Sequence, residues 1–544
     1  MSIKRYTATK DNTITNAFKN NLNIRGTGSN MGASDILEVF SIYGQTFSSS
    51  SLGITKTQEL TRTLVEFPVT TIITDRSAGI IPASGSVDFY LRLYNAKHGD
   101  TVPRDMTLVV VPVSSSWEEG FGLDMENYQD LTKNQQGSNW IMRSGSNQWA
   151  TVGGTFLTSA VNNDYGDRRQ KVAFDKGTED LKLDVTDTVE RWVKGTLAAG
   201  GFPNYGFGIH FTASQEAYFS SSAGGFANDS IIQNVSGATR SFYTKKFFSR
   251  TSEFFFKRPL IEARWDSAVK DNRGNTQYSS SLLSADDNLN TIYLYNFVNG
   301  QLKNIPNLVD KSAKIYVQLF SGSAVATGSA INLVTTTNYT NPPAPTVVTG
   351  GYASTGIYSA SFALTSAATP LTKLFDVWYL DGGSQLGTQV STGSFNPKIY
   401  RSSTANVPNS YVMNINNLKS KYNNKEVARL RVFTRLKNWN PTIFTKATAK
   451  VENTIIDDVY FKVSRVLDDS AVISYGTGSQ SPEPLGANTS YTRLSYDMSG
   501  SYFDLDMSML EAGYKYAVQI AYYDNNSYKE FNQAFNFRVE KSNN

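Results

Sequence analysis

Val87-Asp88-Phe89-Tyr90-Leu91-Arg92-Leu93-Tyr94 alternates cleanly, with Val87, Phe89, Leu91 and Leu93 on one face. A period of two marks a half-buried β-strand. Upstream, Ile36-Leu37-Glu38-Val39-Phe40 and Arg62-Thr63-Leu64-Val65-Glu66-Phe67 read as earlier strands. Downstream, Thr107 to Val113 is a continuous apolar run suited to a buried central strand, and Ser114-Ser115-Ser116 turns the chain after it. Tyr205-Gly206-Phe207-Gly208-Ile209-His210-Phe211 sets glycine and polar residues against large apolar ones. Glycine in such a strand permits a bulky neighbour to approach the backbone. The pattern closes near residue 250 with Ser249-Arg250-Thr251-Ser252-Glu253, then Lys257-Arg258-Pro259-Leu260-Ile261-Glu262. Between strands, Gly120 to Gly177 is polar and rich in Gly, Asn and Gln, an inserted region of short strands and turns. Asp184 to Gly195 is the best short helix: Asp184 or Thr186 caps it, and Val185, Val189, Trp192 and Val193 fall at packing intervals.

At 544 residues the chain exceeds what one hydrophobic core serves, so roughly three or four domains are expected. Hydrophobic residues make up 40% and charged residues only 18%, which argues against both a disordered chain and an assembly of long helices. Thirty tyrosines and 31 phenylalanines amid Ser, Thr, Asn and Gly fit β-sheets joined by turns. The net charge of +4 is spread among interleaved acids, with no basic tail or helix, so nucleic acid is not expected as a partner. No apolar run is long enough for a membrane-spanning helix. Met1-Ser2-Ile3-Lys4-Arg5-Tyr6 turns polar at once and lacks a signal-peptide core, and the chain has no cysteine. Synthesis in a reducing cytoplasm is expected.

Beyond residue 268 the strands shorten. Thr291 to Phe297 and Lys314 to Phe320 are expected to pair in a small sheet. Asn341-Pro342-Pro343-Ala344-Pro345 reads as the clearest linker, because consecutive prolines stiffen the chain. Later strands, including Phe375 to Leu380, Val427 to Thr434 and Tyr514 to Tyr523, suggest two immunoglobulin-like sandwiches split near Glu452. The expected class is all-β: a jelly-roll-like sandwich over 1–268, a small β module and linker over 269–345, then Ig-like sandwiches over 346–452 and 453–544.

Five motifs in order carry a resemblance. Arg62 to Phe67, Trp117-Glu118-Glu119-Gly120, Leu183-Asp184-Val185-Thr186 with Val189 and Trp192, Asn204-Tyr205-Gly206-Phe207, and Ser249-Arg250 with Glu253 and Arg258-Pro259-Leu260-Ile261 together resemble the DNRLRE-type domain. That family is a carbohydrate-binding-module-like jelly roll, and the resemblance spans about half the chain. The long middle insertion, and Thr251-Ser252 between the arginine and the acid, depart from it. Joined to Ser/Thr/Asn-rich Ig-like modules, the domain resembles virion structural proteins of tailed bacteriophages. The resemblance implies a non-enzymatic tail, baseplate or fibre-attachment component, made in the host cytoplasm and released by lysis. Its partners would be other virion proteins or further copies of itself. The alternatives are an adhesin module for a host-surface polysaccharide, or a neck or capsid-surface decoration protein.

Trp117 beside Glu118 and Glu119 reads either as a sugar-stacking platform next to carboxylates or as a cap on the core. Trp140 and Trp149, in the polar insertion, read either as an exposed interface or as anchors of their own loop. Trp192 is expected in the core, and Trp265 at the seam after the first domain. Arg250 and Glu253 read as a pair that pins a loop. Asp286-Asp287 and Asp457-Asp458 read either as a calcium site in a linker or as solvated turns, and the lack of EF-hand spacing favours the turns. With His98 and His210 far apart and no Gly-x-Ser-x-Gly, Walker or Rossmann spacing, neither catalysis nor a metal or cofactor is expected.

Overall fold

A computed structural model of the chain describes residues 2–19, 24–42, 58–99, 103–123, 127–130, 136–158, 166–219, 231–310, 312–333, 346–364, 371–382, 385–399, 409–439, 453–476, 490–524 and 527–542. These divide into two compact units, residues 2–266 and 267–542.

The N-terminal unit holds β1 (Ile3–Thr7), β2 (Lys10–Thr15), β3 (Ile36–Ile42), β4 (Glu59–Glu66), α1 (Val69–Ser77), β5 (Asp88–Leu93) and β6 (Met106–Pro112). There follow β7 (Met142–Ser144), β8 (Asn147–Gln148), β9 (Gln170–Phe174), β10 (Leu181–Asp184), α2 (Thr186–Lys194), β11 (Phe207–Phe211), β12 (Phe242–Phe248) and β13 (Leu260–Arg264). Two antiparallel sheets result. One has four strands in the order β1-β13-β5-β10; the other runs β12-β3-β4-β11-β6-β9, with β2 also on β4. Between them Val87, Phe89, Leu91 and Leu93 meet Leu108, Val110, Phe207 and Ile209 in the first core. The closing strand β13 sits between β1 and β5 and so joins both ends of the unit.

Glycine at 208 does what its strand pattern implies. A Cβ there would lie 2.0 Å from the ring of Phe156, which lies over the sheet. The N-cap of α2 is Val185, so neither Asp184 nor Thr186 caps the helix as expected. Asp184 accepts a hydrogen bond from the Thr186 amide, while the Thr186 hydroxyl accepts one from the Phe89 amide and ties the helix to β5. Helix α1 has no counterpart among the sequence expectations. Its Val-Thr-Thr-Ile-Ile-Thr stretch has strand propensity, but Val69, Ile72 and Asp75 face inward at helical spacing and tertiary burial prevails. Arg76 clamps α1 to α2 through both oxygens of Glu190, at 2.6 and 2.8 Å.

The outer face of the four-stranded sheet is charged. Glu262 receives Arg5 at 2.7 Å and Arg264 at 2.5 Å, with Arg92 at 3.9 Å. Burial would push the Glu262 carboxyl up, but the three guanidiniums hold it well below the usual carboxylate range.

In the C-terminal unit, β14 (Asn290–Tyr295), the hairpin β15 (Phe297–Val298) and β16 (Gln301–Leu302), β17 (Lys314–Ser321), β18 (Val348–Ser354), β19 (Ile357–Phe362), β20 (Leu374–Gly382) and β21 (Gln385–Phe395) come first. Apart from the hairpin, these strands form one six-stranded sheet in the order β14-β19-β18-β17-β20-β21. The boundary expected at 345 therefore falls inside one module. Its prolines lie outside the described residues, but β17 and β18 pair across them. The expected pairing of β14 with β17 is also corrected: β19 and β18 lie between them. The sheet's inner face buries Ile315, Val317, Leu319, Phe362 and Trp378 against Ile305, Leu308 and Leu333 from its loops.

Next come β22 (Tyr411–Ile415), β23 (Lys421–Asn423), β24 (Val427–Leu436), β25 (Val459–Arg465), β26 (Ser470–Ile473), β27 (Ser495–Asp497), β28 (Gly500–Asp506), β29 (Lys515–Asp524), β30 (Ser527–Glu530) and β31 (Phe535–Glu540). One sheet runs β22-β24-β28-β27; the other runs β23-β31-β29-β25-β26, with β30 also on β29. The split expected near Glu452 is thus corrected to a single sandwich, since β24 pairs with β28 across it. Phe461 and Phe503, one from each sheet, stack at 4.2 Å.

Gly208→Ala is expected to cost about 1–3 kcal/mol of stability through overpacking. Part of that loss should return in Gly208→Ala/Phe156→Ala relative to the sum of the single changes, as denaturant unfolding would reveal.

Candidate functional site

The strands β4 and β6 are buried along almost their whole length, so the seven-stranded sheet is apolar on both faces. Its second face packs Leu60, Leu64, Val109 and Val111 against Trp117, Trp140, Trp149 and Phe156 from the 113–158 region. All three tryptophans are buried there. The Trp117 indole N–H donates to the Tyr205 carbonyl at 2.8 Å, and that of Trp149 to the Asn139 carbonyl at 2.9 Å. These rings anchor the insertion and offer no free stacking face. Trp192 lies in the first core against Phe207, with ring centroids 4.7 Å apart. Trp265 belongs to that same core rather than to a seam.

Within the second core sits one buried ion pair. The Arg62 guanidinium meets both oxygens of Glu216 at 3.0 Å, donates to the Gly153 carbonyl, and lies over the rings of Trp140 and Phe156. Burial raises the Glu216 carboxyl and Arg62 opposes that rise. The His210 ring is 3.8 Å from Glu216, but burial and Arg62 lower it to about 3, so it stays neutral at ordinary pH. His98 is likewise lowered, to about 4, by burial and by Lys245 and Lys246. Neither imidazole is placed as a proton carrier near neutrality.

The edge of the insertion is tied down by buried amides. Asn30 donates to the carbonyls of Glu119 and Ser138, each at 2.9 Å, and its own oxygen accepts from Gly32 and Gly122. Asn12 donates to Ser138 and accepts from Met31. A Cβ on Gly122 would stand 1.4 Å from the Asn30 carbonyl oxygen, so only glycine fits. Arg250 completes the knot. It grips Glu119 at 3.0 and 2.7 Å, while its backbone N–H donates to Asp11 at 2.5 Å. Glu119 also accepts from the Asp11 amide. Arg250 does pin a loop, but through Glu119; Glu253 is exposed. Burial pushes the Asp11 carboxyl up to about 7; the Arg250 N–H opposes this and the nearby Glu119 charge adds to it.

Sequence reasoning singled out the tryptophans and missed Asp11, Asn12 and Asn30. The available signal was Gly120, Gly122 and Gly137 recurring beside a tryptophan-acid motif, since clustered glycines imply close backbone approach. Glu118 is exposed and accepts from the Gly137 amide. Of the acidic pairs, Asp458 holds Arg493 at 2.9 Å and Asp287 accepts from Ser284 at 2.8 Å. Among the described residues no cluster of three or more His, Asp or Glu is placed to hold a metal ion. No described helix is long and apolar enough to cross a membrane.

The knot presents apolar side chains outward. Phe121 is 76% exposed and Leu123 65%, just beyond Glu119; Phe254 is 48% and Phe255 45%, just beyond Arg250. Their loops are bound together through residues 33 and 34: Ala33 donates to the Gly122 carbonyl, and the Thr251 hydroxyl donates to that of Ser34. Lys257 lies over the rings of Phe248 and Phe254. The arrangement is an apolar rim on loops made rigid by buried polar bonds.

No family model and no curated relative matches the chain. Solved structures with some likeness include the tandem Ig repeats of Dlar, 12% identical over 34% of this chain and 71% of that one, TM-score 0.12. The FN1-FN3 domains of chicken CNTN1 are 10% identical over 56% and 82%, TM-score 0.15. The N-terminal Ig1-2 module of Drosophila receptor protein tyrosine phosphatase DLAR is 9% identical over 46% and 90%, TM-score 0.14. Superpositions at these scores add nothing to the all-β fold read from the chain's own sheets.

The raised Asp11 carboxyl fixes a pH dependence. Its folded pKa lies above its unfolded value of 3.8, so the folded state binds more protons between about 4 and about 7 and loses stability as pH rises through that window. Asp11→Asn should therefore gain stability over the parent across the same window and hold a constant advantage above it. Thermal melts from pH 4 to 8.5 would measure the difference, and a flat difference would contradict the buried-carboxyl assignment.

Proposed function

We propose that this chain is a non-enzymatic structural component of a tailed-bacteriophage virion, in the tail, baseplate or fibre-attachment region, acting through protein–protein interfaces. The observation that carries this reading is the rigid apolar rim of Phe121, Leu123, Phe254 and Phe255. Scattered exposed apolar residues are ordinary, but several on loops locked by one polar knot suit a surface made to be covered. Rigidity matters because an interface formed from pre-ordered loops loses little conformational entropy on association. The motif resemblance, the absence of cysteine and the succession of β-modules support placement in a particle assembled in a reducing cytoplasm.

Sugar binding through the tryptophans is the weaker reading. A glycan platform needs an open ring beside free hydrogen-bonding groups. Trp117, Trp140 and Trp149 are inside the second core, and Glu119 is occupied by Arg250 and the Asp11 amide.

In a cryo-EM reconstruction of the native particle, the four rim residues should be buried by a neighbouring chain; a rim facing solvent would overturn the proposal. Phe121→Asp/Phe255→Asp should keep the parent's melting temperature within a few degrees and yet fail to enter particles in a complementation assay. Normal incorporation of that folded variant would count equally against it.

A further inference from the structure

Several of the described sheet edges are guarded. The edge strand β12 carries Lys245 and Lys246, and residues 94 and 96 bond to its outer side. On β14, Asn272 accepts from the Thr291 amide and Arg273 donates to the Tyr293 carbonyl, which covers that edge. Strands β23 and β27 are only 3 residues each. By contrast β21 is 11 residues long, holds no charged residue and no proline, and pairs on one side only, with β20. Long uncharged edges are templates for strand addition, and proteins ordinarily blunt them.

The sequence of this strand indicates what pairs with it. Gly387-Thr388-Gln389-Val390-Ser391-Thr392-Gly393 reads nearly the same in both directions about Val390. In an antiparallel pair of two copies centred on that residue, Val390 faces Val390, Thr388 faces Thr392 and Gly387 faces Gly393. Threonine pairs and apolar pairs are favourable cross-strand neighbours, and no like charges oppose one another. Val390 is 37% exposed on the isolated chain, the one large apolar side chain between Gly387 and Gly393. The register with β20 steps from Trp378↔Ser391 to Tyr379↔Gln389 and again to Asp381↔Leu386, so Val390 has no opposite number there. Such a bulge leaves its residue out of the existing ladder.

We propose that β21 is a self-association edge, at which two copies of this chain join antiparallel about a two-fold axis through Val390. The proposal is independent of the rim, which lies in the other unit and is offered to different chains. A two-fold contact of this kind is self-complementary and closes after two copies.

The chain has no cysteine, so Val390→Cys in the full chain gives a unique thiol. Opposed residues of an antiparallel pair have Cα atoms roughly 4.5–5.5 Å apart, within disulfide reach. Thr388→Cys serves as the control, because the same axis would hold the two copies of that position roughly 14 Å apart along the strands. Mild oxidation should give a covalent dimer from Val390→Cys at least tenfold faster than from Thr388→Cys. The parent should sediment as a concentration-dependent dimer, and Val390→Lys should weaken that dimer about tenfold or more by placing two charges face to face. Equal cross-linking of the two cysteine variants would overturn the proposal. So would a dimer unchanged by Val390→Lys, or a parent that stays monomeric to hundreds of micromolar, as it would if the bulge serves to guard the edge. Melting curves matching the parent establish that each variant is folded.

Discussion

Burial of the seven-stranded sheet on both faces is the constraint from which the N-terminal unit follows. Alternation on β5 calls for one partner layer, and the four-stranded sheet supplies it. The continuous apolar run of β6, and the burial of β4 along nearly its whole length, call for a second. A sheet with an uncovered apolar face would aggregate, so a long insertion has to lie across it. The insertion is polar in composition and cannot cover that face by hydrophobicity alone. Three tryptophans supply the buried area, and side-chain amides, the Glu119 carboxylate and Arg62 satisfy backbone groups that burial strips of water. The apolar rim shares that solution: the loops that the knot holds rigid are the loops that carry it.

The sequence disclosed the strands more readily than their partners. Val87 to Leu93 and the 107–113 run carry their faces in their own periodicity, and Gly208 announced a close neighbour without naming Phe156. Sheet membership is decided by contacts across tens to hundreds of residues, which local pattern does not encode. That is why the prolines near 345 read as a domain boundary when β17 and β18 pair across them. It is also why one sandwich read as two around 452. Helix α1 escaped notice for the opposite reason, its β-branched residues voting locally against the helix that packing imposes.

The site was legible only in part. Tryptophans stand out in a polar segment, and their burial follows from a lid's need for area. Arg250 was placed correctly on a loop-pinning contact but with the wrong acid. Glu253 is close in sequence, whereas Glu119 is close in space. Asn12 and Asn30 are ordinary letters in a chain rich in asparagine; their importance comes from being buried, and burial of a polar residue is the property that single-sequence patterns reveal least.

The closing strand has a consequence for how the protein comes into being. β1 is synthesised well before β13, its hydrogen-bonding partner, which begins at Leu260, and the Arg5–Glu262 ion pair spans 257 residues. β5 and β10 can pair earlier, but β1 cannot join the four-stranded sheet until β13 has been synthesised, so for most of that interval β1 is an unpaired edge. Non-local closure of this kind slows folding and prolongs exposure of sticky intermediates. A nascent chain so built gains from early collapse of β3 through β6 around the first core, which shortens that exposure.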